Sequence, residues 1–406
     1  MKRALGFGAA EASHTAPTPP RLSGLELASG VPLGTQPHAP PLAPVEATLS
    51  ARVALEEAIR RCLVGGRCVI GFSGGRDSSA MLALAVHVAR RDDLPLPVPA
   101  TLRYREVPKA EESAWQELVM RHLALDDWVR MEVGDEHDYL GPVAQPVLRR
   151  HGVLWPPYFH SYQPLMALAA GGVFMTGVDG DNLFAGWRWA RLEPVRRRAV
   201  RPRMSDLGRL TLIAGPPLVR RLAARRHPLP CTWLTPVARR VVNARWFSHY
   251  AAEPVRWDHR VEWLTKLRGL ALEVSTLDVL GRDCGATVAN PLLDRRFLAA
   301  LARQGGRAGC GDRTVVMESL FADLLPSEVV SRSTKAVFGP CMWRGASQRF
   351  AAAWDGSGTD PALVDVGRLR AEWAKPFPAP ASMPLLQQAW LAGAEVGTDR
   401  TGYNLS

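Results

Sequence analysis

The sequence predicts an α/β fold: a parallel sheet with helices on both faces and a largely helical C-terminal part. Three observations predict it. From residue 50 onward, amphipathic helical stretches alternate with short apolar runs, the pattern of a parallel sheet built by crossovers. The first apolar run, Arg67–Phe72, ends in a Gly-rich turn, Ser73-Gly-Gly-Arg-Asp-Ser-Ser79, that opens a helix. A later run, Gly172–Thr176, ends in a second loop of the same kind, Gly177-Val-Asp-Gly-Asp181.

The elements follow in order. Residues 1–49 hold eight prolines among small residues and read as a Pro-rich tail or linker. Ser50–Leu63 places Leu55, Ile59, Cys62 and Leu63 on one helical face behind a Ser50 cap. Arg67–Phe72 is the first strand, and Asp77–Arg90 is a helix with a stripe of Met81, Leu82, Leu84, Ala85 and Val88. Pro97–Leu102 is the second strand, Glu111–Leu123 a helix, Asp127–Val133 the third strand, Gln163–Ala170 a helix and Gly172–Thr176 the fourth strand. Beyond Arg188 the pattern is largely helical. Residues 50–350 are expected to form the main domain and 351–406 a helical extension.

Composition narrows the class. The chain has 406 residues, 47% hydrophobic and 22% charged, enough for a sizeable core. No apolar run reaches the about 18–20 residues of a membrane span, and the apolar run after Met1-Lys2-Arg3 stops at Glu11, too soon for a secretory signal. A cytoplasmic protein without a membrane partner is expected. Six scattered cysteines without a C-x-x-C pair favour reduced thiols over a disulfide frame or zinc site. The net charge is +11, and twelve arginines fall between Arg188 and Arg226. Few aromatics interleave with them, so a nucleic-acid partner is not expected; this segment is either a solvated face or a docking surface for substrate or partner.

The first loop has the chemistry of an anion site. Gly74 and Gly75 let the backbone turn tightly and come close to a ligand. The helix that follows aims free N–H groups and its positive dipole end at the same point, and Ser73, Ser78 and Ser79 add hydroxyls. It is not a Walker loop, because the Gly-Lys-[Ser/Thr] ending is absent. Asp77 would repel polyphosphate unless a magnesium ion sits between them.

This string resembles the pyrophosphatase loop of the N-type ATP pyrophosphatases, which include asparagine synthetases, β-lactam synthetases, lasso-peptide cyclases, GMP synthetases and tRNA-lysidine synthetases. The resemblance implies a PP-loop, adenine-nucleotide α-hydrolase-like fold and cleavage of ATP to AMP and pyrophosphate with transient adenylation of a carboxylate. Thr176-Gly-Val-Asp-Gly-Asp-Asn-Leu-Phe-Ala-Gly-Trp187 is similar to the asparagine synthetase pattern S-G-E-G-A-D-E-L-F-G-G-Y. By that likeness Asp181 joins Asp77 in holding Mg2+, while Thr176 and Gly177 lie next to the adenine; Leu102, ending the second strand, is placed with the nucleotide-binding set. Asn290-Pro-Leu-Leu-Asp294 resembles the P-F-L-D segment, and Arg332-Ser-Thr-Lys-Ala-Val-Phe338 the R-x-x-K-x-x-F segment, whose lysine, here Lys335, contacts pyrophosphate and the adenylate. Glu111-Glu-Ser-Ala-Trp-Gln116 resembles the helix after the second strand in this branch.

The departures point to the substrate. Val178 stands where asparagine synthetases have a glutamate and β-lactam synthetases a tyrosine, both tied to the acid/base step; valine moves no proton. Asn182 replaces an acidic residue, and the E-x-R before P-F-L-D is absent. Asp179 is the candidate to substitute for the missing acid. The first cysteine is Cys62, so a glutaminase with an N-terminal cysteine nucleophile is not expected in this chain, and residues 20–50 resemble the linker that follows such a domain. The expected activity is an AMP-forming amide ligase using ATP and Mg2+ on a small-molecule or peptide carboxylate. The amine comes from free ammonia, from a separate ammonia source or peptide-processing partner, or from the substrate itself, as in lasso-peptide cyclisation. Asparagine synthesis, an RNA-modifying enzyme and a non-catalytic ATP-binding partner are the alternatives.

Overall fold

The computed structural model describes residues 20–36, 39–104, 106–185 and 215–401. Five parallel strands form one sheet in the order β3-β2-β1-β4-β5, with β1 Cys68–Gly71, β2 Val98–Arg103, β3 Val129–Glu132, β4 Val173–Met175 and β5 Thr287–Ala289. Four of these lie within two residues of the predicted strands. The fifth falls in a region read as helical. It is three residues long and pairs with β4 in the register Phe174↔Val288.

Side-chain alternation along the strands sorts the core into two layers. Cys68, Ile70, Val173 and Met175 face the helices Ala51–Val64 and Arg76–Arg91. Val69, Ala100 and Phe174 face the other way, onto Phe159, Leu165, Met166, Leu277 and Leu280. Helix Ala51–Val64 starts as its sequence dictates, with Ser50 Oγ accepting from the Val53 N–H at 3.2 Å. Helix Arg76–Arg91 is buried nearly all round, as a helix packed into a core must be.

β1 is the pivot. It pairs with β2 on one side and β4 on the other, so the chain winds away from it in both directions. Open α/β sheets bind ligands at this switch point, outside the carboxyl ends of the strands. Both Gly-rich loops leave the sheet there.

A third cluster, with Trp233, Trp343, Trp354 and Trp373 at its centre, packs the C-terminal helices. It continues without a break across residue 350. Within the stretch read as a tail, Gly24–Ser29 forms a helix with a capping box from Ser23 and Glu26. The helix docks on this cluster: Trp233 Nε1 donates to the Ala28 carbonyl at 2.8 Å, and Arg268 pairs with Glu26. Among the described residues no helix is long and apolar enough to cross a membrane. All six cysteines are free thiols. Most of the arginine-rich segment, Arg188 to Arg209, lies outside the described residues; of the rest, Arg220 is buried and donates to the Glu253 carbonyl at 2.6 Å, while Arg221, Arg225 and Arg226 are exposed.

Candidate active site

The loop after β1 is tied together by its own serines. The Ser73 N–H donates to Ser78 Oγ at 3.2 Å, the Ser73 and Ser78 hydroxyls meet at 3.0 Å, and the Gly75 N–H donates to Ser73 Oγ at 3.3 Å. Gly74 has φ 81°, a left-handed conformation that glycine adopts without strain. Gly75 is the N-cap of helix Arg76–Arg91 and has no side chain to close the helix end, which leaves that end open to an anion. Gln116 Nε2 holds the loop from the side, donating to the Ser73 carbonyl at 3.2 Å and to Thr101 Oγ1 at 2.8 Å.

The loop after β4 packs directly against the first. The Thr176 hydroxyl donates to Asn290 Oδ1 at 2.5 Å, and the Thr176 N–H to the Ala289 carbonyl at 3.0 Å. The Asn290–Asp294 segment therefore anchors this loop from β5. A Cβ on Gly180 would lie 2.4 Å from Asp77 Cγ, and one on Gly177 3.2 Å from the Asp77 carbonyl carbon. Gly180 has no room for a side chain against the first loop, and a Cβ on Gly177 would press on the Asp77 backbone. Gly180→Ala is expected to push the Asp77 carboxylate aside and lower turnover by about 10²-fold, with an overpacking cost of about 1–3 kcal/mol in urea unfolding. Gly393→Ala, with nothing within 4 Å of the added Cβ, is the neutral control. Equal activity of the two variants would show that loop contact does not matter.

A cavity of ≈ 440 Å³ opens between the loops. Of the sequence-predicted residues, Ser73, Gly75, Asp77 and Ser78 line it from the first loop, Thr176, Gly177 and Asp181 from the second, and Leu102 and Lys335 complete the set. Gly74, Ser79 and Asp179 stand outside its wall. The Ser79 hydroxyl is fully buried without a hydrogen-bond partner. Asp179 has φ 68°, and its Oδ1 accepts from Asn182 Nδ2 at 2.6 Å. Asn182, in the place of an acidic residue, thus fixes the Asp179 carboxylate. Burial pushes that carboxyl up to about 6, against the opposing pull of the Asn182 hydrogen bond.

The charge centre of the cavity is a four-residue cluster. Arg313 reaches both loop carboxylates, with Nη2 at 2.8 Å from each oxygen of Asp77 and Nη1 on Asp181. Lys335 also binds Asp181. Burial raises the Asp77 carboxyl, and Arg313 opposes it. Burial acts on Asp181 in the same sense, but hydrogen bonds from Lys335 and Arg313 outweigh it and hold that carboxyl below its ordinary value. One cation, the Arg313 guanidinium, spans the two carboxylates. Among the described residues no group of three or more His, Cys, Asp or Glu that could hold a metal is present.

The motif segments meet at a second ion pair. Arg332 binds Glu112 with both guanidinium nitrogens, Nη2 at 2.6 Å from Oε1, and Nη1 also donates to the Gly74 carbonyl at 3.1 Å. Its guanidinium carbon lies 4.5 Å from the centre of the Trp115 ring. The lysine loop, the helix after β2 and the first Gly-rich loop are joined by this one side chain.

Sequence reasoning missed Arg313, which belongs to no quoted motif, and Tyr104, Tyr158 and Tyr162 of the cavity's aromatic wall, whose fourth member, Phe338, ends the quoted Arg332–Phe338 segment. His160 is held by the Pro157 and His137 carbonyls at 3.1 and 3.0 Å.

Paired loops at a switch point, an open helix end and a cation cluster define an α/β protein that handles a nucleotide's phosphates. The family model for asparagine synthase matches residues 50–392, and the chain belongs to that family. The family uses ATP, and the chain is an ATP-dependent ligase of the amide-forming kind. A comparison with curated proteins finds no match.

Proposed function

We propose that the chain is an AMP-forming ligase that adenylates a carboxylate within a peptide and closes an amide on an amine of the same molecule, the chemistry of lasso-peptide cyclisation. One observation carries this reading: the distribution of charge around the cavity. Its charged wall residues are Arg76, Asp77, Asp181, Arg313 and Lys335, with the Arg332–Glu112 pair beside them. Arg76 feels Arg313, Asp77, Asp181 and Arg332, so all belong to one cluster at the phosphate loop. The rest of the wall is uncharged: apart from the Gln116 amide it is aromatic, aliphatic or hydroxylic, including Tyr158, Ser161, Tyr162, Leu165 and Val178. Free aspartate would need partners for its α-ammonium and α-carboxylate; a peptide side chain would not.

In this reading an acceptor carboxylate oxygen attacks the α-phosphorus of ATP, and the bond to pyrophosphate breaks. The Ser73–Ser78 loop and the helix end behind it hold the phosphates. Lys335 and Arg313 place positive charge where negative charge grows on the leaving group. Asp77 and Asp181 supply the oxygens that a magnesium ion on the phosphates would take, and that ion would neutralise their charge. The amine then attacks the acyl carbon and AMP leaves.

The test is incubation with MgATP, pyrophosphate and peptides bearing a free N-terminal amine and an internal aspartate or glutamate. Acceptor-dependent pyrophosphate exchange, AMP and a peptide product lighter by one water are expected. Aspartate with ammonia is expected to give no asparagine. Asparagine formation would overturn the peptide reading, and absence of AMP with every carboxylate would overturn adenylation.

A further inference from the structure

The charge of the chain is unevenly spread. Between Gly215 and Ala252 stand seven arginines and not one aspartate or glutamate. Two helices, Pro217–Ala224 and Pro236–Ala252, occupy this stretch and pack against each other. The first is turned so that Arg220 and Ala224 are buried, with Arg220 reaching the Glu253 carbonyl. The opposite side faces solvent, and Leu218, Arg221, Leu222 and Arg225 share it at the spacing of one helical stripe. Leu218 is 73% exposed and Leu222 56%. Val219 and Arg226 border the stripe and are exposed as well. The side chains of Arg221, Arg225 and Arg226 make no hydrogen bond or ion pair among the described residues. The helix behind adds Arg239, Arg240 and Arg245 and nothing of opposite charge.

An exposed leucine taken singly means little. Two neighbouring leucines set among unbalanced arginines form a patch that is apolar and cationic at once, and such a patch marks a contact surface. An acidic peptide binds in a groove, and this strip lines neither the active-site cavity nor the ≈ 1160 Å³ groove beside β5. A nucleic acid needs rings for its bases to stack on, and the stripe holds none. A plane of anionic headgroups meets both features, with phosphates for the arginines and an acyl boundary for the leucines.

We propose that helix Pro217–Ala224, together with Arg225 and Arg226, docks the protein on an anionic phospholipid surface. The helix lies in the plane of the interface. Leu218 and Leu222 enter the boundary between headgroups and acyl chains, and the arginines pair with lipid phosphates. No membrane span is needed for such a contact, which is peripheral and reversible. The arginines of helix Pro236–Ala252 add to the attraction, which salt weakens. The proposal is independent of the ligase reading above.

The test is co-sedimentation of the full chain with vesicles of phosphatidylcholine alone or mixed with phosphatidylglycerol. Binding to the mixed vesicles is expected to be about 10-fold or more the stronger, and to fall as salt rises. Replacing three arginines together, Arg221→Gln, Arg225→Gln and Arg226→Gln, is expected to weaken binding by about 10²-fold, each contributing about five-fold. Leu218→Ser with Leu222→Ser is expected to weaken it by about 10-fold or more, at low salt as well. Leu218→Ala with Leu222→Ala, which keeps helix propensity high, is expected to lose nearly as much. All three variants are expected to melt with the wild type, since the changed side chains are exposed. Val64→Ser, an exposed apolar position on helix Ala51–Val64, is expected to bind like the wild type.

Equal binding to the two kinds of vesicle would overturn the proposal. So would leucine variants that bind the mixed vesicles as well as wild type does, because the strip would then be a solvated cationic face. An arginine variant that still binds fully would place the contact elsewhere on the chain and overturn it too. Capture of an acidic peptide such as polyglutamate without capture of vesicles would replace the lipid surface by a peptide partner.

Discussion

Asp77→Asn and Asp181→Asn are each expected to lower acceptor-dependent pyrophosphate exchange by about 10³-fold, or about 4 kcal/mol, with little change in melting temperature. The sign of the effect decides what the two carboxylates are for. In the structure they face Arg313 and Lys335. If neutralising those cations were their whole task, asparagine at either position would free positive charge for the phosphates and ATP would bind more tightly. If they hold a cation that accompanies ATP, asparagine removes a ligand oxygen's charge and exchange collapses. Asp77→Asn preserves shape, and Arg313 keeps its contact with Asp181, so the fold is expected to survive. Exchange measured against Mg2+ concentration separates the cases. Loss of activity with a raised Mg2+ requirement supports the metal role, and near-normal exchange or tighter ATP binding refutes it.

What was legible in the sequence was what is contiguous. Ser73–Ser79 and Thr176–Asp181 are single strings that each carry a strand end, a turn and a helix start, so their place at the sheet's carboxyl edge followed from local pattern alone. Arg313 is different. It meets Asp77 across 236 residues and Asp181 across 132, and nothing near it announces a partner so distant. β5 was hidden by its three-residue length, too short for a period of two to stand out against the helix before it. The helix Gly24–Ser29 did leave a signal, the Ser23/Glu26 capping box. Six residues form no stable helix alone; the docking on Trp233 that holds this one is a tertiary fact. Asp179 was named for its chemistry; its residue stands outside the cavity wall, and its Oδ1 accepts from Asn182.

Arg332→Ala is expected to be the most destabilising single change at the site, by about 3–5 kcal/mol in urea unfolding. Both members of the Arg332–Glu112 pair are almost fully buried, with side chains 4% and 7% exposed. Alanine leaves the Glu112 carboxylate without a counter-charge, empties the face of Trp115 and frees the Gly74 carbonyl. Arg332→Lys is expected to recover only part of the loss, because an ammonium cannot bind both carboxylate oxygens in a fork and reach Gly74 as well. The double variant Arg332→Met, Glu112→Leu separates stability from function. Removing both charges is expected to restore most of the unfolding free energy, since no unpaired ion remains. Activity is not expected to return, because the lysine loop is no longer fastened to Gly74 and Lys335 loses its position beside Asp181. A single variant costing under about 1 kcal/mol would mean that water replaces the guanidinium and that the pair is not buried in solution. An active double variant would mean that the three motif segments find their places without the clamp.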